Sequence, residues 1–285
     1  MALVSFSRVR VLIRGGGDLA TGVAFRLHRA GFPVLVTELP APSLVRRLVS
    51  FGEAVFSNQI TVEGVTARLA ADQSEIESHM LVGEIPVVID PDGHMIDHYE
   101  PAVLIDARML KSNPDTNLND APLVIALGPG YTAGTDCHVV IETNRGHDLG
   151  RVIWSGTAEP DTGEPGVVDG RGQSRVLRAP VSGHIKPLVE IGDALEAGQA
   201  IAGIGEYVLT APFKGILRGL IHERVPVQIG MKIGDLDPRT RRQNCFTISD
   251  KSLAIGGGVL EAVLSAPQIR PLLLSQNLHE AATSL

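Results

Sequence analysis

Along the first half of the chain, short apolar runs rich in β-formers alternate with stretches whose apolar residues recur at helical spacing. Residues 9–13 form one such run and end in Gly15-Gly16-Gly17. Leu19, Val23 and Leu27 follow every fourth residue, and Gly31 stands where a left-handed helix cap belongs. Arg26, His28 and Arg29 suit the negative end of that helix dipole. Residues 34–37 read as the next strand. From Pro42, the spacing of Leu44, Val45, Leu48 and Val49 predicts a second amphipathic helix. Asp72 and Glu75 have the spacing of a capping box for a third helix, stopping near Gly83. Strand runs return at 87–89, 103–105, 123–127 and 139–141. This alternation predicts an α/β fold with a mostly parallel sheet, a Rossmann-like domain over residues 1–155. Helical signals are missing between the later strands, which leaves room for an antiparallel part.

Residues 156–175 are rich in Gly, Pro, Asp and Glu and read as a linker. Beyond it the chain repeats itself. Ala179-Pro180 returns as Ala211-Pro212, and Gly183, Leu188, Gly198 and Ile201 return as Gly215, Leu220, Gly230 and Ile233, all at one ungapped offset of 32 residues. Two such units, neither able to bury its apolar face alone, are expected to interlock into a small all-β barrel over residues 176–238. The motifs A-P-x-x-G at 179–183 and 211–215 and G-D-x-L-x-x-G-Q at 192–199 resemble the barrel-sandwich hybrid of biotinyl/lipoyl carrier domains. Those carriers bear a lysine on the central hairpin. Here that hairpin reads Glu206-Tyr207-Val208, so no covalent biotin or lipoate is expected and a structural or docking barrel is favoured. Residues 239–285 complete the chain as a C-terminal helical segment.

Composition narrows the function classes. Of 285 residues 44% are hydrophobic and only 4% aromatic, so the cores must be aliphatic. A net charge of −7 gives no basic footprint for nucleic acid. Arg8, Arg10 and Arg14 break the N-terminal apolar run, which argues against a signal peptide, and no run is long enough to span a bilayer. The expectation is a cytoplasmic protein without nucleic-acid or membrane partners, its two cysteines, Cys137 and Cys245, free.

The sharpest chemical motif is Gly15-Gly16-Gly17-Asp18-Leu19-Ala20, between a strand and a helix, which fits G-x-G-x-x-G/A. Its glycines would let backbone approach a pyrophosphate at the helix N-terminus, and Glu38, 21 residues beyond Gly17, stands where an acid would bond a ribose hydroxyl. Asp18 complicates this by placing a negative charge where phosphate would sit; it could instead cap the helix. A second loop, Gly128-Pro129-Gly130, could line the same crevice or be a tight connection. Together these make a nucleotide, NAD(P) among others, the candidate ligand. Cys137-His138 suggests an activated thiol, but neighbours on a strand face opposite ways, so a buried cysteine is preferred. His94 and His98, with Asp97 and Glu100, have metal-like spacing only on a helix, and Pro91 and Pro101 argue for a loop; no metal site is assigned. Gly256-Gly257-Gly258 interrupts a helical pattern over 253–264 and is read as close packing rather than a ligand loop.

Several long stretches agree with one family: VLIRGGGDLATGVAFRLHRAGF, SFGEAVFSNQITVEGVTARL, ALGPGYTAG, VVIETNRGHDLGRVIW and CFTISDKSLAIGGGVLEAVL. The chain resembles the YqeB family of selenium-dependent molybdenum hydroxylase system proteins, and more distantly XdhC-type maturation factors. The resemblance implies an accessory role in maturation of a molybdenum hydroxylase. It would bind a nucleotide or the nucleotide-bearing molybdenum cofactor, with the apo-hydroxylase as partner and labile selenium as a possible cargo. It transfers no catalytic residue. An NAD-dependent oxidoreductase and a non-enzymatic docking module stand as the alternatives.

Overall fold

The computed structural model describes residues 6–161, 163 and 170–274. Eleven strands occupy its first part: β1 (Val11–Arg14), β2 (Val34–Glu38), β3 (Gln59–Val62), β4 (Val65–Leu69), β5 (Ile85–Ile89), β6 (Val103–Asp106), β7 (Leu123–Leu127), β8 (Thr132–Ala133), β9 (Val139–Ile141), β10 (Val152–Ile153) and β11 (Gly156–Thr157). Nine of them form one sheet in the order β10-β9-β7-β6-β1-β2-β5-β4-β3, while β8 and β11 pair apart from it. The interior pairs are parallel, and the hairpins β3–β4 and β9–β10 make both edges antiparallel. The central strands are buried on both faces, which is why they read as continuous apolar runs.

The helices are α1 (Asp18–Arg29), α2 (Ala54–Ser57), α3 (Gln73–Leu81), α4 (Met95–Tyr99), α5 (Asp250–Ser265) and α6 (Arg270–Leu274). α1 ends as its sequence dictates, with Gly31 at φ +96°. Asp72 caps α3 by accepting from the Glu75 amide at 2.9 Å. Ile13, Val36 and Ile105 face one core with α1 and α5, and Leu12, Leu35 and Leu104 face a second core with Ile76 of α3 and Tyr99 of α4.

The expected Rossmann-like domain, separate biotinyl/lipoyl-like barrel and trailing helical segment are corrected here. The first unit is a large mixed sheet with antiparallel edges, and its later crossovers, from β6 to β7 and from β7 to β9, lack α-helices. The connection from β2 to β3 holds two 3-10 turns and four-residue α2, and that from β6 to β7 only a 3-10 turn at Leu118–Asp120. The cover those crossovers do not supply comes from α5, out of the presumed trailing segment. Its Ile255, Val259, Ala262 and Val263 are fully buried against the sheet beside α1. Each fully buried Ile or Val side chain there contributes roughly 1.5–3 kcal/mol, so α5 is integral to this unit. Gly256 and Gly258 serve that packing: a Cβ on Gly256 would lie 2.5 Å from the Gly22 carbonyl oxygen, and one on Gly258 would strike the carbonyl of Gly150.

The predicted helix from Pro42 is absent too. Leu44, Val49 and Phe51 are buried, whereas Leu48 and Phe56 pack on the core of the following β unit. A segment serving two cores cannot present one stripe, and it takes 3-10 turns at Arg47–Val49 and Phe51–Glu53 instead.

That β unit holds β12 (Val176–Arg178), β13 (Gly183–Pro187), β14 (Ala194–Leu195), β15 (Ala200–Ile204), β16 (Tyr207–Thr210), β17 (Gly215–Leu220), β18 (Pro226–Val227) and β19 (Lys232–Asp237). The starts of β17, β18 and β19 follow those of β13, β14 and β15 by the repeat offset read in the sequence. Two four-stranded sheets result, β12-β19-β17-β14 and β16-β15-β13-β18, so each repeat lends one short strand to the other's sheet. Of the expected 156–175 linker, residues 156–157 form β11, residues 173–175 a 3-10 turn, and residues 162 and 164–169 lie outside the described residues. No helix among the described residues is long and apolar enough to cross a membrane.

Candidate functional site

The glycine loop after β1 is closed by the chain itself. The Gly16 amide donates to Glu38 Oε1 at 2.7 Å, and the Leu39 amide donates to Glu38 Oε2 at 2.8 Å. The Gly16 carbonyl accepts from the Gly52 amide at 2.9 Å, and a Cβ on Gly16 would stand 2.6 Å from that nitrogen. A Cβ on Gly52 would in turn lie 3.0 Å from Glu38, so backbone roofs both the loop and the acid. Glu38 is buried, and desolvation pushes its carboxyl above the ordinary range while the two amides pull the other way. Its assignment as a ribose ligand is therefore corrected: it is an internal staple. Gly15, at φ +93°, lets the loop lie on the backbone of Ala107 and Arg108. Gly17 is the cap residue of α1, and Ala20 is buried in the core.

Of the motif, Asp18 and Leu19 line an open cavity. It is a cleft of about 640 Å³ between the C-terminal ends of the parallel strands and the β unit. Such crevices are where open α/β sheets gather ligands. Asp18 and Leu19 open α1, while Ser249 and Lys251 open α5. Gly22 touches Ser252 and Gly256, and Gly256 also touches Arg26, so the two helices run side by side in the same direction. Both therefore present first-turn N–H groups and positive dipole ends to one cleft. The Ser249 hydroxyl caps α5 by accepting from the Ser252 amide.

Seven of the lining residues are Lys or Arg and four are Asp or Glu, an excess of positive charge in a chain of net charge −7. Several cations are already paired: Arg46 with Asp18 at 3.0 Å, Lys111 with Asp161 at 2.7 Å, Arg145 with Asp250 at 2.7 Å and Arg175 with Asp235 at 2.5 Å. The other three are paired loosely or not at all. Arg218 on β17 is no nearer than 3.6 Å to Asp235 and 3.8 Å to Asp237, and its buried Nε has no hydrogen-bond partner. Lys232 and Lys251 make no ion pair among the described residues. Burial pushes both the Arg218 guanidinium and the Lys251 amine below their ordinary values. A desolvated cation with donors to spare is what an anion would stabilise.

The second glycine loop contributes only Pro129 to the cleft. Gly128 and Gly130 have positive φ, and a Cβ on either would collide with Thr143 or with the Leu110–Lys111 backbone, so they shape the rim without touching the cavity. Cys137 is fully buried, donates weakly to the Val139 carbonyl at 3.3 Å, and is pushed up to about 12 by burial, which leaves no reactive thiolate. His94 precedes α4 and His98 lies within its single turn, where a loop was expected, and His98 Nδ1 lies 2.8 Å from the His94 carbonyl oxygen. Among the described residues, no three His, Cys, Asp or Glu side chains are grouped to hold a metal.

Sequence reasoning missed Arg145, Arg218, Lys232 and Lys251, which lie far apart in the chain. One signal was available: S-D-K-S at 249–252 is an N-cap followed by a cation in the first helical turn, where the dipole disfavours positive charge. A dinucleotide bound in the way G-x-G-x-x-A implies does not fit, because its acid and its second glycine are engaged. Phosphate groups fit the cleft by charge and by the unfilled donors of Arg218, Lys232 and Lys251.

No family model matches the chain. Among solved structures, it aligns with a succinylglutamate desuccinylase/aspartoacylase from Rhodobacter sphaeroides at 14% identity and a TM-score of 0.25, over 82% of this chain and 87% of that one. An aspartoacylase family protein from Mesorhizobium loti aligns at 12% identity and 0.25, over 81% and 86%. A succinylglutamate desuccinylase from Silicibacter aligns at 12% and 0.24, over 81% and 85%. Likeness this low carries no argument about this chain. The chain is 49% identical over 254 residues to the uncharacterized protein YqeB of Escherichia coli (strain K12), covering 89% of this chain and 47% of that protein. It thus spans about half the length of the curated relative it matches. Identity at this level across nearly nine tenths of its residues makes the chain a homologue of YqeB and supports its place in the YqeB family.

Proposed function

We propose that the chain binds a phosphate-bearing small molecule in the cleft between the mixed sheet and the β unit, as a cytoplasmic accessory protein in maturation of a molybdenum hydroxylase. The carrying observation is the excess of positive charge in the cleft, where Lys232 and Lys251 make no ion pair among the described residues and the buried Nε of Arg218 has no hydrogen-bond partner, set before two parallel helix N-termini. The maturation role rests on the family resemblance. The ligand class follows from charge: a nucleotide, or a pterin cofactor that bears one, carries the anionic groups these donors would take. For the nucleotide-bearing molybdenum cofactor, Arg218 and Lys232 would hold the phosphates, and the cofactor would supply the metal chemistry. NAD-linked oxidoreduction loses its support with the engagement of Glu38 and Gly16.

Calorimetric titration with a nucleoside diphosphate, at low salt and again at physiological salt, tests the reading. Lys232→Ala removes an exposed side chain that holds no internal partner. It is expected to weaken binding about tenfold or more, as loss of a charge-assisted hydrogen bond worth about 1.5–3 kcal/mol requires. Binding that ignores both salt and Lys232 would place the ligand elsewhere.

A further inference from the structure

The chain carries only five lysines against twenty arginines. Four lysines are exposed: Lys111 and Lys214 hold Asp161 and Glu196, while Lys186 and Lys232 face solvent. Lys251 differs. It is partly buried and lines the cleft, and its amine makes no hydrogen bond or ion pair among the described residues.

Its surroundings are specific. The carboxylate one residue before it, Asp250, is taken by Arg145 through two bonds of 2.7 and 2.8 Å. Asp18 of α1 and Glu142 beyond β9 act on it from the sheet side, and Arg145 and Lys232 oppose its charge. It also stands in the first turn of α5, where the positive dipole end further disfavours an ammonium. Arg46, Arg145, Arg175 and Arg218 supply fixed positive charge around it. A guanidinium stays protonated in proteins; an amine in such surroundings can be neutral and nucleophilic.

We propose that Lys251 is a reactive amine that captures the carbonyl group of a phosphorylated ligand as an imine, an inference that rests on the anion-binding reading of the cleft. Arg218 and Lys232 take the phosphate, and the carbonyl carbon reaches Lys251 Nζ. The nitrogen lone pair forms the C–N bond as the carbonyl π pair moves to oxygen. The oxygen takes a proton and the nitrogen loses one, giving a carbinolamine. The hydroxyl leaves as water with a second proton as the C=N bond forms. Amine and carbonyl become imine and water, and nothing is oxidised or reduced.

Pyridoxal 5′-phosphate, trapped with borohydride and mapped by peptide mass spectrometry, is the probe. Pyridoxine 5′-phosphate, which has an alcohol in place of the carbonyl, reports the anion site alone by calorimetry. The expected result is labelling of Lys251 ahead of Lys111, Lys186, Lys214 and Lys232. Lys251→Arg and Lys251→Gln should each lose most of the incorporation, while the unsubstituted chain binds pyridoxine 5′-phosphate. Even labelling of all five lysines, unchanged in Lys251→Arg, overturns the imine. In that case retained pyridoxine 5′-phosphate binding leaves the anion cleft standing, and its absence removes both readings.

Discussion

Gly256→Ala is expected to destabilise the chain by about 3 kcal/mol or more, while Gly257→Ala next to it stabilises by about 1 kcal/mol. The opposite signs follow from packing. A Cβ at 256 would lie 2.5 Å from the carbonyl oxygen of Gly22 and 2.9 Å from the Arg26 side chain. The oxygen belongs to helical backbone and cannot move without parting α5 from α1. At 257 the added methyl meets nothing within 4 Å, so it only removes the helix penalty of glycine. Urea denaturation midpoints of the two variants check the pair. Shifts of the same sign would show that α5 does not lie on α1 at this register. The contact also fixes function, because it is what brings both helix N-termini to one cleft.

Arg108→Ala is expected to cost about 3–5 kcal/mol, the range for stripping the partner from a buried charge, with the lower end favoured because the Asp115 side of the network is half exposed. Asp106 is fully buried. Its Oδ2 accepts from Arg108 at 2.6 Å, Thr116 at 2.5 Å and Tyr131 at 2.8 Å. Asp115 accepts from both Arg108 and Arg14. Burial alone would raise the Asp106 carboxyl, yet the Arg108 bonds and charge, with Thr116 and Tyr131, bring it below its usual range. Arg108 does the same to Asp115, against partial burial and with help from Arg14. Folded carboxyls held low contribute stability that is present above the unfolded value, roughly pH 4. That stability is lost as pH falls through the lower folded values. The gap between wild type and Arg108→Ala should therefore be widest at neutral pH and narrow below about pH 4. A gap that does not depend on pH would mean the arginine acts through packing alone. The network lies directly under Gly15, so this variant also loosens the floor of the closed glycine loop.

What the sequence made legible was local. The α1 terminators, the Asp72 cap of α3 and the repeat offset each depend on residues within a turn or on self-similarity, and each has its counterpart in the structure. The stretch from Leu44 to Val49 misled because helical periodicity assumes one burial direction, and this segment is buried from two sides. The fold class misled for a similar reason. Strand runs announce a sheet but not what covers it, and the cover here arrives from residue 250 onward. The glycine motif was present as spelled, but spacing cannot show that Gly52 closes over it or that Glu38 turns inward to its amide. Asp18, raised as the possible obstacle, is instead paired with Arg46 at the cleft edge. The cleft itself is assembled from residues 18, 46, 145, 218, 232 and 251, whose convergence is a property of the tertiary fold alone.

A crystal structure of the chain soaked with a nucleoside diphosphate tests the central claim most directly. Phosphate density at Arg218 and Lys232, with Glu38 still bonded to the Gly16 amide, is the expected result. Pyrophosphate lying over Gly15–Gly17, with Gly52 displaced and Glu38 on a ribose hydroxyl, would contradict it.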